Sequence, residues 1–263
     1  MAAMTRQRVD LPDLVTREKY DAVLFDLDGV LTSTAAIHAE AWKQMFDCYL
    51  ADRAAAEGPN RRRDERLRPF DIVSDYRKYI DGKPRYDGVR SFLESRGIRL
   101  PEGTPGEPPG DATVCALGNR KDAMVKEAIA AGRVETFEGS VRWVRQLRDA
   151  GFKTAVVSSS RNCGAVLRAA KIDHLFDARV DGQTLLDLGL PGKPAPESFL
   201  KAAEFLDVSP RRSVVVEDAI SGVQSAKAGG VGLIIGVDRE GHADALRHHG
   251  AEVIVADVGE LAK

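Results

Sequence analysis

The stretch AVLFDLDGV (Ala22–Val30) joins a short aliphatic run to two aspartates and a glycine. The apolar run Ala22–Leu27 is typical of a strand that is buried on both faces of a sheet. Because side chains alternate along a strand, Asp26 and Asp28 point to the same side if the extended conformation continues through Leu27. Acids at the carboxyl end of a parallel strand lie where open α/β sheets bind ligands. The stretch therefore predicts a ligand site, with a turn that the aspartates merely cap as the alternative.

Four further apolar runs predict more strands of this sheet: Thr154–Val157, Ser213–Val216, Gly232–Val237 and Val253–Val255. Between them lie segments with the apolar spacing of amphipathic helices, such as Ser140–Ala150 and Ser198–Leu206. Aliphatic strands that alternate with helices favour a parallel sheet covered on both faces. We therefore predict an α/β fold with a Rossmann-like parallel-sheet core.

The alternation is interrupted between about Ile37 and Phe137, where charged, helix-like segments replace the strands. The proline- and glycine-rich stretch Pro101–Thr113 in this region predicts a loop. The simplest arrangement is a helical unit inserted after the first strand. We predict three parts of the chain: an N-terminal extension at residues 1–19, an α/β core domain at 20–36 and 138–263, and a helical domain at 37–137.

The composition of the 263-residue chain permits an enzyme with a sizeable core. Its 38 basic and 40 acidic side chains nearly cancel, which disfavours nucleic acid or an anionic membrane as a partner. Cys48, Cys115 and Cys163 are odd in number and widely spaced, as expected of reduced thiols. The sequence shows neither a signal-peptide pattern nor an apolar stretch of about 20 residues. We expect a soluble, cytoplasmic protein.

Polar groups also follow the other predicted strands. Ser158–Ser160 follow the second run, and the pair Glu217-Asp218 follows the SVVV run. Lys193 lies in the rigid segment Gly192–Pro196, just before a predicted helix. Taken singly, such residues are common in turns, exposed loops and helix caps. Together and in this order, they predict one site at the carboxyl edge of the sheet.

These residues resemble the four motifs of the haloacid dehalogenase-like phosphotransferase superfamily: Asp26–Val30, Ser158, Lys193 and Glu217-Asp218. The inserted helical unit lies where this superfamily carries its cap domain, so residues 37–137 are expected to be a cap. Within the superfamily the chain is most similar to the β-phosphoglucomutase subgroup, through Leu24–Thr32, Thr34, His38, Ala41–Lys43 and Lys193–Pro196.

The resemblance implies a Mg²⁺ cofactor and a division of labour between the two aspartates. Asp26 would attack phosphorus to form an aspartyl-phosphate, and Asp28 would act as the general acid and base. Lys193 and Ser158 would bind the phosphate. The implied metal ligands are the carboxylates of Asp26 and Asp218, the backbone carbonyl of Asp28, and Glu217 as a ligand or the neighbour of one.

The resemblance also implies residues that contact the sugar phosphate. Thr34 and His38 would form the linker into the cap and help to position Asp28, with helix capping or packing as the alternative for His38. Cap cations would bind a distal phosphate, with a solvated surface as their alternative role. The expected substrate-binding residues are Thr34, His38, Trp42, Lys83, Arg85, Lys121 (or Arg120), Ser159, Arg161 and Asn162.

The function implied is the conversion of β-glucose 1-phosphate into glucose 6-phosphate through β-glucose 1,6-bisphosphate. The alternative is a Mg²⁺-dependent phosphatase of a sugar phosphate or similar ester; a silent binding module is disfavoured because all four motifs are present. Two departures bear on the substrate: Asp81 stands where the subgroup has lysine, and Pro101–Thr113 looks like an insertion. We expect a monomer or weak dimer that acts on a small sugar phosphate, alongside enzymes of trehalose or maltose metabolism.

Overall fold

A computed structural model describes residues 11–57, 64–239 and 241–263 of the protein. Six parallel strands form one sheet in the order β3-β2-β1-β4-β5-β6. The strands are β1 (Ala22–Phe25), β2 (Lys153–Val157), β3 (Ala178–Val180), β4 (Ser213–Glu217), β5 (Leu233–Val237) and β6 (Val253–Val255). The predicted α/β fold is confirmed.

Helices cover both faces of the sheet. Along β1, Val23 and Phe25 belong to the apolar cluster on one face, while Ala22 and Leu24 belong to the cluster on the other. This two-sided burial explains why the strand sequence is apolar at every position. The helices that follow the inserted region are α4 (Glu138–Asp149), α5 (Cys163–Ala169), α6 (Gly182–Leu188), α7 (Glu197–Phe205), α8 (Ile220–Ala228) and α9 (Ala243–His249).

Two details of the sheet differ from the sequence-based expectation. The first strand ends at Phe25 and not at Leu27, because the chain turns at the acidic motif. The edge strand β3 was not predicted: it has three residues, of which only Val180 is fully buried, so it lacks an apolar run. The helices predicted at Ser140–Ala150 and Ser198–Leu206 are confirmed within two residues at each end.

The described residues between β1 and α4 form helices and loops without a strand. They are α1 (Thr34–Glu57), α2 (Arg85–Ser95), α3 (Val114–Ala130) and short helical turns. These helices enclose their own apolar cluster, in which the ring centroids of Phe46 and Phe92 are 4.1 Å apart. Pro101–Thr113 is a loop, as predicted. We keep the name cap for residues 37–137; the division of the chain into domains stays a prediction.

The two connections between the sheet and the cap run side by side. The Ser33 amide donates to the Glu135 carbonyl, and the Phe137 amide donates to the Leu31 carbonyl. Helix α1 begins at Thr34, so the first connection is only the short segment before it. This pairing fixes the two chain crossings beside the acidic motif.

Part of the expected N-terminal extension packs on the sheet domain. Leu11, Leu14 and Val15 contact the apolar cluster that includes Phe25, and Arg17 pairs with Asp21. Residues 1–10 of the extension lie outside the described residues. In the described part of the chain, every helix is too short or too polar to cross a membrane.

Replacing Phe92 with alanine tests the cap cluster. Phe92 is fully buried and its ring contacts those of Phe46 and Phe70, so Phe92→Ala should lower the free energy of unfolding by about 3–5 kcal/mol. Phe205→Ala is the matched control because half of Phe205 is exposed, and it should cost less than about 1 kcal/mol. Urea titrations of both variants measure the difference; equal losses would contradict a separately packed cap.

Candidate active site

The order of the strands brings the predicted motifs to one edge of the sheet. Because β1 lies between β2 and β4, Asp26 is placed next to Ser158 and to the Glu217-Asp218 pair. A cavity of about 80 Å³ opens between this edge and the cap. The predicted residues that line it are Asp26, Asp28, His38, Trp42, Lys83, Arg85, Lys121, Ser158, Ser159, Arg161, Asn162, Glu217 and Asp218.

Lys193 lies directly behind the cavity and joins two of its acids. Its Nζ is 2.6 Å from Asp26 Oδ1 and 2.7 Å from Glu217 Oε2, and it also donates to the Val157 carbonyl at 3.2 Å. Burial lowers the pKa of Lys193, but the charges of Asp26 and Glu217 outweigh burial and raise it above its ordinary value. The lysine is therefore a permanent cation at the carboxyl end of β1.

The acids around Lys193 resist ionisation. Burial, reinforced by the charge of Asp26, raises the pKa of Glu217 to about 8. Burial and the neighbouring Asp81 raise the pKa of Asp218 well above its usual range, and burial raises that of Asp26 as well. The single ammonium of Lys193 therefore does not offset the cost of burying all three of these acids as charged carboxylates.

The same acids fit a divalent cation. One carboxylate oxygen from each of Asp26, Glu217 and Asp218 lies within 4.8 Å of the other two. An all-oxygen set with excess negative charge is what Mg²⁺ prefers in proteins. Glu217 already accepts hydrogen bonds from Lys193 and from the Ala219 amide, so its oxygens are the most occupied of the set.

A glycine makes room for these acids. Gly29 has a φ of +89°, and a Cβ atom on it would lie 1.7 Å from Asp218 Oδ2. The turn is closed by a hydrogen bond from the Gly29 amide to the Thr32 carbonyl, 2.8 Å long. Only a residue without a side chain lets the turn pass so close to Asp218.

Asp28 faces the cavity and is held by groups from the start of α1. The Thr34 hydroxyl donates to Asp28 Oδ1, and His38 Nε2 lies 3.8 Å from the same oxygen. Burial raises the pKa of Asp28, although Thr34 opposes the shift. Asp26 and Asp28 both line this cavity, but the turn after Phe25 brings them there and not an extended strand.

His38 is held as a neutral ring within the cap. Its Nδ1 is 2.8 Å from Lys121 Nζ, and burial together with the charge of Lys121 lowers the pKa of His38 well below 6.5. Burial also lowers the pKa of Lys121 to about 7, and its ammonium lies 5.0 Å from the centre of the Trp42 ring. If Lys121 donates to Nδ1, the His38 proton is on Nε2, which faces Asp28.

The predicted cap cations are placed differently from one another. Arg85 lines the cavity beside Asp122, with 2.7 Å between NH1 and Oδ1. Lys83 also lines it, but its ammonium donates to Ser91. Arg120, the alternative to Lys121, is wrong for this site: its guanidinium pairs with Asp111 and does not line the cavity. Arg85, Lys83 and Lys121 thus line the cavity, and their role as phosphate-binding cations stays a prediction.

The cap is closed over the sheet edge. Ser159 donates to the Gly82 carbonyl at 2.7 Å, and Ser221 donates to the Asp81 carbonyl at 2.9 Å. Asn162 Nδ2 donates to Asp122 Oδ1 at 2.7 Å. These contacts join three points of the cap to the loop that follows β2 and to the start of α8 after β4, so the cavity is narrow in this conformation.

Two supporting residues follow β5, and no sequence pattern singles them out. Arg239 Nε donates to the Gly29 carbonyl at 3.0 Å, and its guanidinium lies 3.6 Å from the centre of the Phe137 ring. His242 Nε2 lies 3.2 Å from the Asp218 carbonyl oxygen. Their partners are more than 20 residues away in sequence, so only the folded chain reveals them.

Comparison with known proteins identifies the family. Residues 20–230 match the family described as haloacid dehalogenase-like hydrolase, and the chain belongs to it, as the four motifs predicted. It is an enzyme of this family and is related to the β-phosphoglucomutases. The β-phosphoglucomutase of Mycobacterium tuberculosis is 48% identical over 247 residues, which cover 93% of this chain and 92% of that protein.

Two further relatives extend the comparison. The trehalose-phosphate phosphatase of Mycobacterium leprae is 41% identical over 128 residues, which cover 47% of this chain and 28% of that protein. The crystal structure of β-phosphoglucomutase from Clostridium difficile aligns with a TM-score of 0.70 at 22% identity, over 92% of this chain and 93% of that chain. The structural likeness shows the shared fold.

The close approach of Gly29 to Asp218 can be tested with two glycine variants. Gly29→Ala should lower p-nitrophenyl phosphate hydrolysis at least about 100-fold, because the added Cβ displaces the Asp218 carboxylate. Gly97→Ala is the matched control: Gly97 also has a positive φ, +63°, but no atom lies within 4 Å of the added Cβ. It should cost about 1 kcal/mol of stability and leave turnover intact. Equal activity of the two variants would contradict this geometry.

Proposed function

We propose that the protein is a Mg²⁺-dependent β-phosphoglucomutase that converts β-glucose 1-phosphate into glucose 6-phosphate through β-glucose 1,6-bisphosphate. The observation that carries the proposal is the second acid, Asp28. It lies at the same cavity as Asp26, but its Oδ1 accepts from Thr34 and lies 3.8 Å from His38 Nε2, whereas Asp26 is held by Lys193. Two acids in different environments suit two different roles.

Asp26 is the proposed nucleophile. Its Oδ1 is held by Lys193, which leaves Oδ2 for attack on phosphorus. The bond between Asp26 Oδ2 and phosphorus forms as the bond between phosphorus and the sugar oxygen breaks. The product on the enzyme is an aspartyl-phosphate. The Lys193 ammonium and the buried Ser158 hydroxyl are the proposed donors to the phosphate oxygens, which carry the negative charge during transfer.

Asp28 is the proposed general acid and base. Burial raises its pKa, which favours the protonated form that can donate to the leaving sugar oxygen. After this step Asp28 is a carboxylate, and it can take the proton from the sugar hydroxyl that attacks the aspartyl-phosphate. The Thr34 hydroxyl orients Asp28 through its hydrogen bond in both directions of transfer.

Mg²⁺ would be held by Asp26 and Asp218, with the Asp28 backbone carbonyl as a further ligand and Glu217 bound to the metal or beside it. When bound, it neutralises the phosphate and stabilises the charge of the group in transfer. The closeness of these carboxylates and their raised pKa values support this assignment.

The distal phosphate of the bisphosphate is assigned to Arg85, Arg161 and Asn162. Arg85 and Asn162 are largely buried, and all three line the cavity. Among the described residues, Arg85 Nε, Arg85 NH1 and His38 Nε2 are buried nitrogens of the cavity that make no hydrogen bond, although Arg85 NH1 lies 2.7 Å from Asp122 Oδ1 as an ion pair. Such atoms are costly unless a ligand satisfies them. These buried nitrogens support a polar ligand that carries a second phosphate or a hydroxyl on the side of the cavity formed by the cap.

The second candidate is a sugar-phosphate phosphatase. It is favoured by Asp81, an acid that lines the cavity where the subgroup has lysine, and by the partial likeness to a trehalose-phosphate phosphatase. Closure of the cap supports the mutase instead, because transfer to a sugar requires that water be excluded from the aspartyl-phosphate. A place beside trehalose or maltose metabolism is part of the proposal.

A ³¹P time course separates the two activities. With β-glucose 1-phosphate, Mg²⁺ and a trace of β-glucose 1,6-bisphosphate, we expect glucose 6-phosphate to accumulate with little inorganic phosphate, because the closed cap excludes water. Chelation of the metal with EDTA should stop the reaction, which is the control. Dominant release of phosphate, or inertness toward this sugar with turnover of another ester, would overturn the mutase assignment.

The roles of the two aspartates predict different losses. Asp26→Asn should abolish covalent labelling by a phosphoryl donor, because the amide is not a nucleophile. Asp28→Asn should keep labelling by a donor with a good leaving group but slow mutase turnover about 10²- to 10⁴-fold, because proton transfer is lost. Acid-quenched mass spectrometry measures the label on both variants. Persistent aspartyl-phosphate in Asp26→Asn would remove Asp26 from its assigned role.

A further inference from the structure

Asp122 is an acid among the cap cations, and it directly follows Lys121 in α3. Its Oδ1 lies 2.7 Å from Arg85 NH1 and accepts from Asn162 Nδ2 at 2.7 Å. Its Oδ2 lies 2.8 Å from Lys126 Nζ. One carboxylate therefore bridges two cap cations and a core amide, and two of these three partners are those assigned to the distal phosphate.

The carboxylate is firmly ionised. Burial opposes ionisation of Asp122, but the Arg85 charge and the hydrogen bonds from Lys126 and Asn162 outweigh it and lower the pKa to about 2. Asp122 therefore carries its charge throughout the physiological range. Its oxygen occupies, between Arg85 and Asn162, the kind of position that a phosphate oxygen takes between an arginine and an amide.

The Asp122 carboxylate and its partners also lie between the active cavity and a second, outer cleft. The active cavity and an outer cleft of about 400 Å³ share four lining residues: Arg85, Asp122, Arg161 and Asn162. Lys126 lines only the outer cleft. An anion in the outer cleft would thus meet the Asp122 bridge before it reached the cavity that contains Asp26 and Asp28.

We propose that Asp122 is a built-in competitor of the distal phosphate: it latches the cap to the core in the ligand-free enzyme and releases Arg85 and Asn162 when the phosphate takes its place. The inference rests on the proposed function for the identity of the ligand, but not for the latch. Asp122 acts through Arg85 and Asn162, so it is a positioning residue. A phosphate can displace it because it brings more charge and more acceptor oxygens than a carboxylate.

The proposed latch predicts two effects of removing the Asp122 charge: a looser ligand-free form and tighter binding of phosphate. Removing the charge of Asp122 should loosen the closed ligand-free form, since the charge-assisted bond between cap and core is weakened. The same change should tighten phosphate binding, since Arg85 is no longer neutralised and the ligand meets no negative competitor. A merely structural role would loosen the protein without a gain in affinity.

The test compares Asp122→Asn with Asp111→Asn in the full chain. Asp111 also pairs with a cap arginine, Arg120, but lines neither the active cavity nor the outer cleft. Acrylamide quenching of tryptophan fluorescence reports closure, because Trp42 lines the cavity while Trp143 lies in the core cluster. For ligand-free Asp122→Asn we expect the quenching constant to rise about twofold, and for Asp111→Asn to stay at the wild-type value.

Affinity is measured by calorimetric titration with β-glucose 1,6-bisphosphate, in an Asp26→Asn background that prevents transfer. Adding Asp122→Asn should lower the Kd about fivefold, the effect of one strengthened charge-assisted contact. Asn162→Ala is the second variant: it should raise quenching like Asp122→Asn but weaken binding, because it removes a donor to the phosphate.

Each outcome decides a separate point. Unchanged quenching in Asp122→Asn, or a change equal to that in Asp111→Asn, overturns the latch. Increased quenching with an unchanged or higher Kd overturns the competition and leaves Asp122 as a tether. If none of the proteins binds the bisphosphate, the proposed substrate fails, and the quenching comparison still decides whether Asp122 holds the cap closed.

Discussion

The ammonium of Lys193 joins the carboxylates of Asp26 and Glu217 inside the protein, and the arrangement of the sheet serves this buried cluster. β1 and β4 are neighbours in register, and the hydrogen bond from the Asp26 amide to the Val216 carbonyl carries the pairing one residue beyond β1. The two acids are thereby fixed side by side. A charge in such a place is tolerated only when it is paired, because burial of an unpaired ion costs several kcal/mol. The short loops at this edge, including the glycine turn after Asp28, follow from that requirement.

Three largely buried acids nevertheless surround the single ammonium of Lys193, and this imbalance of ionisable groups links the fold to the chemistry. A carboxylate and a phosphate repel one another; unit charges 4 Å apart do so by about 4 kcal/mol at an effective dielectric constant of 20. A site that is to join Asp26 to a phosphate must supply further cations. The acids would hold a metal ion, and the cap places Arg85 and Lys121 at the other side of the cavity. In the cap, the negative charge of Asp122 partly offsets the positive charge of Arg85. The sheet side and the cap side of the cavity therefore each contain groups of both signs.

Much of the core of this site could be predicted from the sequence because three of its residues stand directly after apolar runs, where strand order alone brings them to the sheet edge. Asp26, Ser158 and Glu217 follow this rule. The sequence is less informative where an irregular backbone or contacts between distant residues determine the position of a side chain. Asp28 reaches the cavity through a turn and not through strand alternation, and Arg239 supports Gly29 from beyond β5. In the cap the helical pattern does not show which cation faces inward, so Arg120 stayed an alternate to the expected cations until the helices were placed.

The choice between sugar and water as acceptor depends on the second acid, and its position is tied to the cap. Asp28 belongs to the turn after β1, whereas Thr34 and His38 belong to the first two turns of α1, which is part of the inserted helices. His38 is in turn bound to Lys121 in α3. Any movement of α1 and α3 away from the sheet edge would therefore withdraw both partners from Asp28. In the closed arrangement both Thr34 and His38 lie beside Asp28, and the cap covers the same cavity. If Asp28 is the general acid and base that we propose, closure and proton transfer are coupled through these two side chains, and this coupling would favour transfer to an enclosed sugar over transfer to solvent.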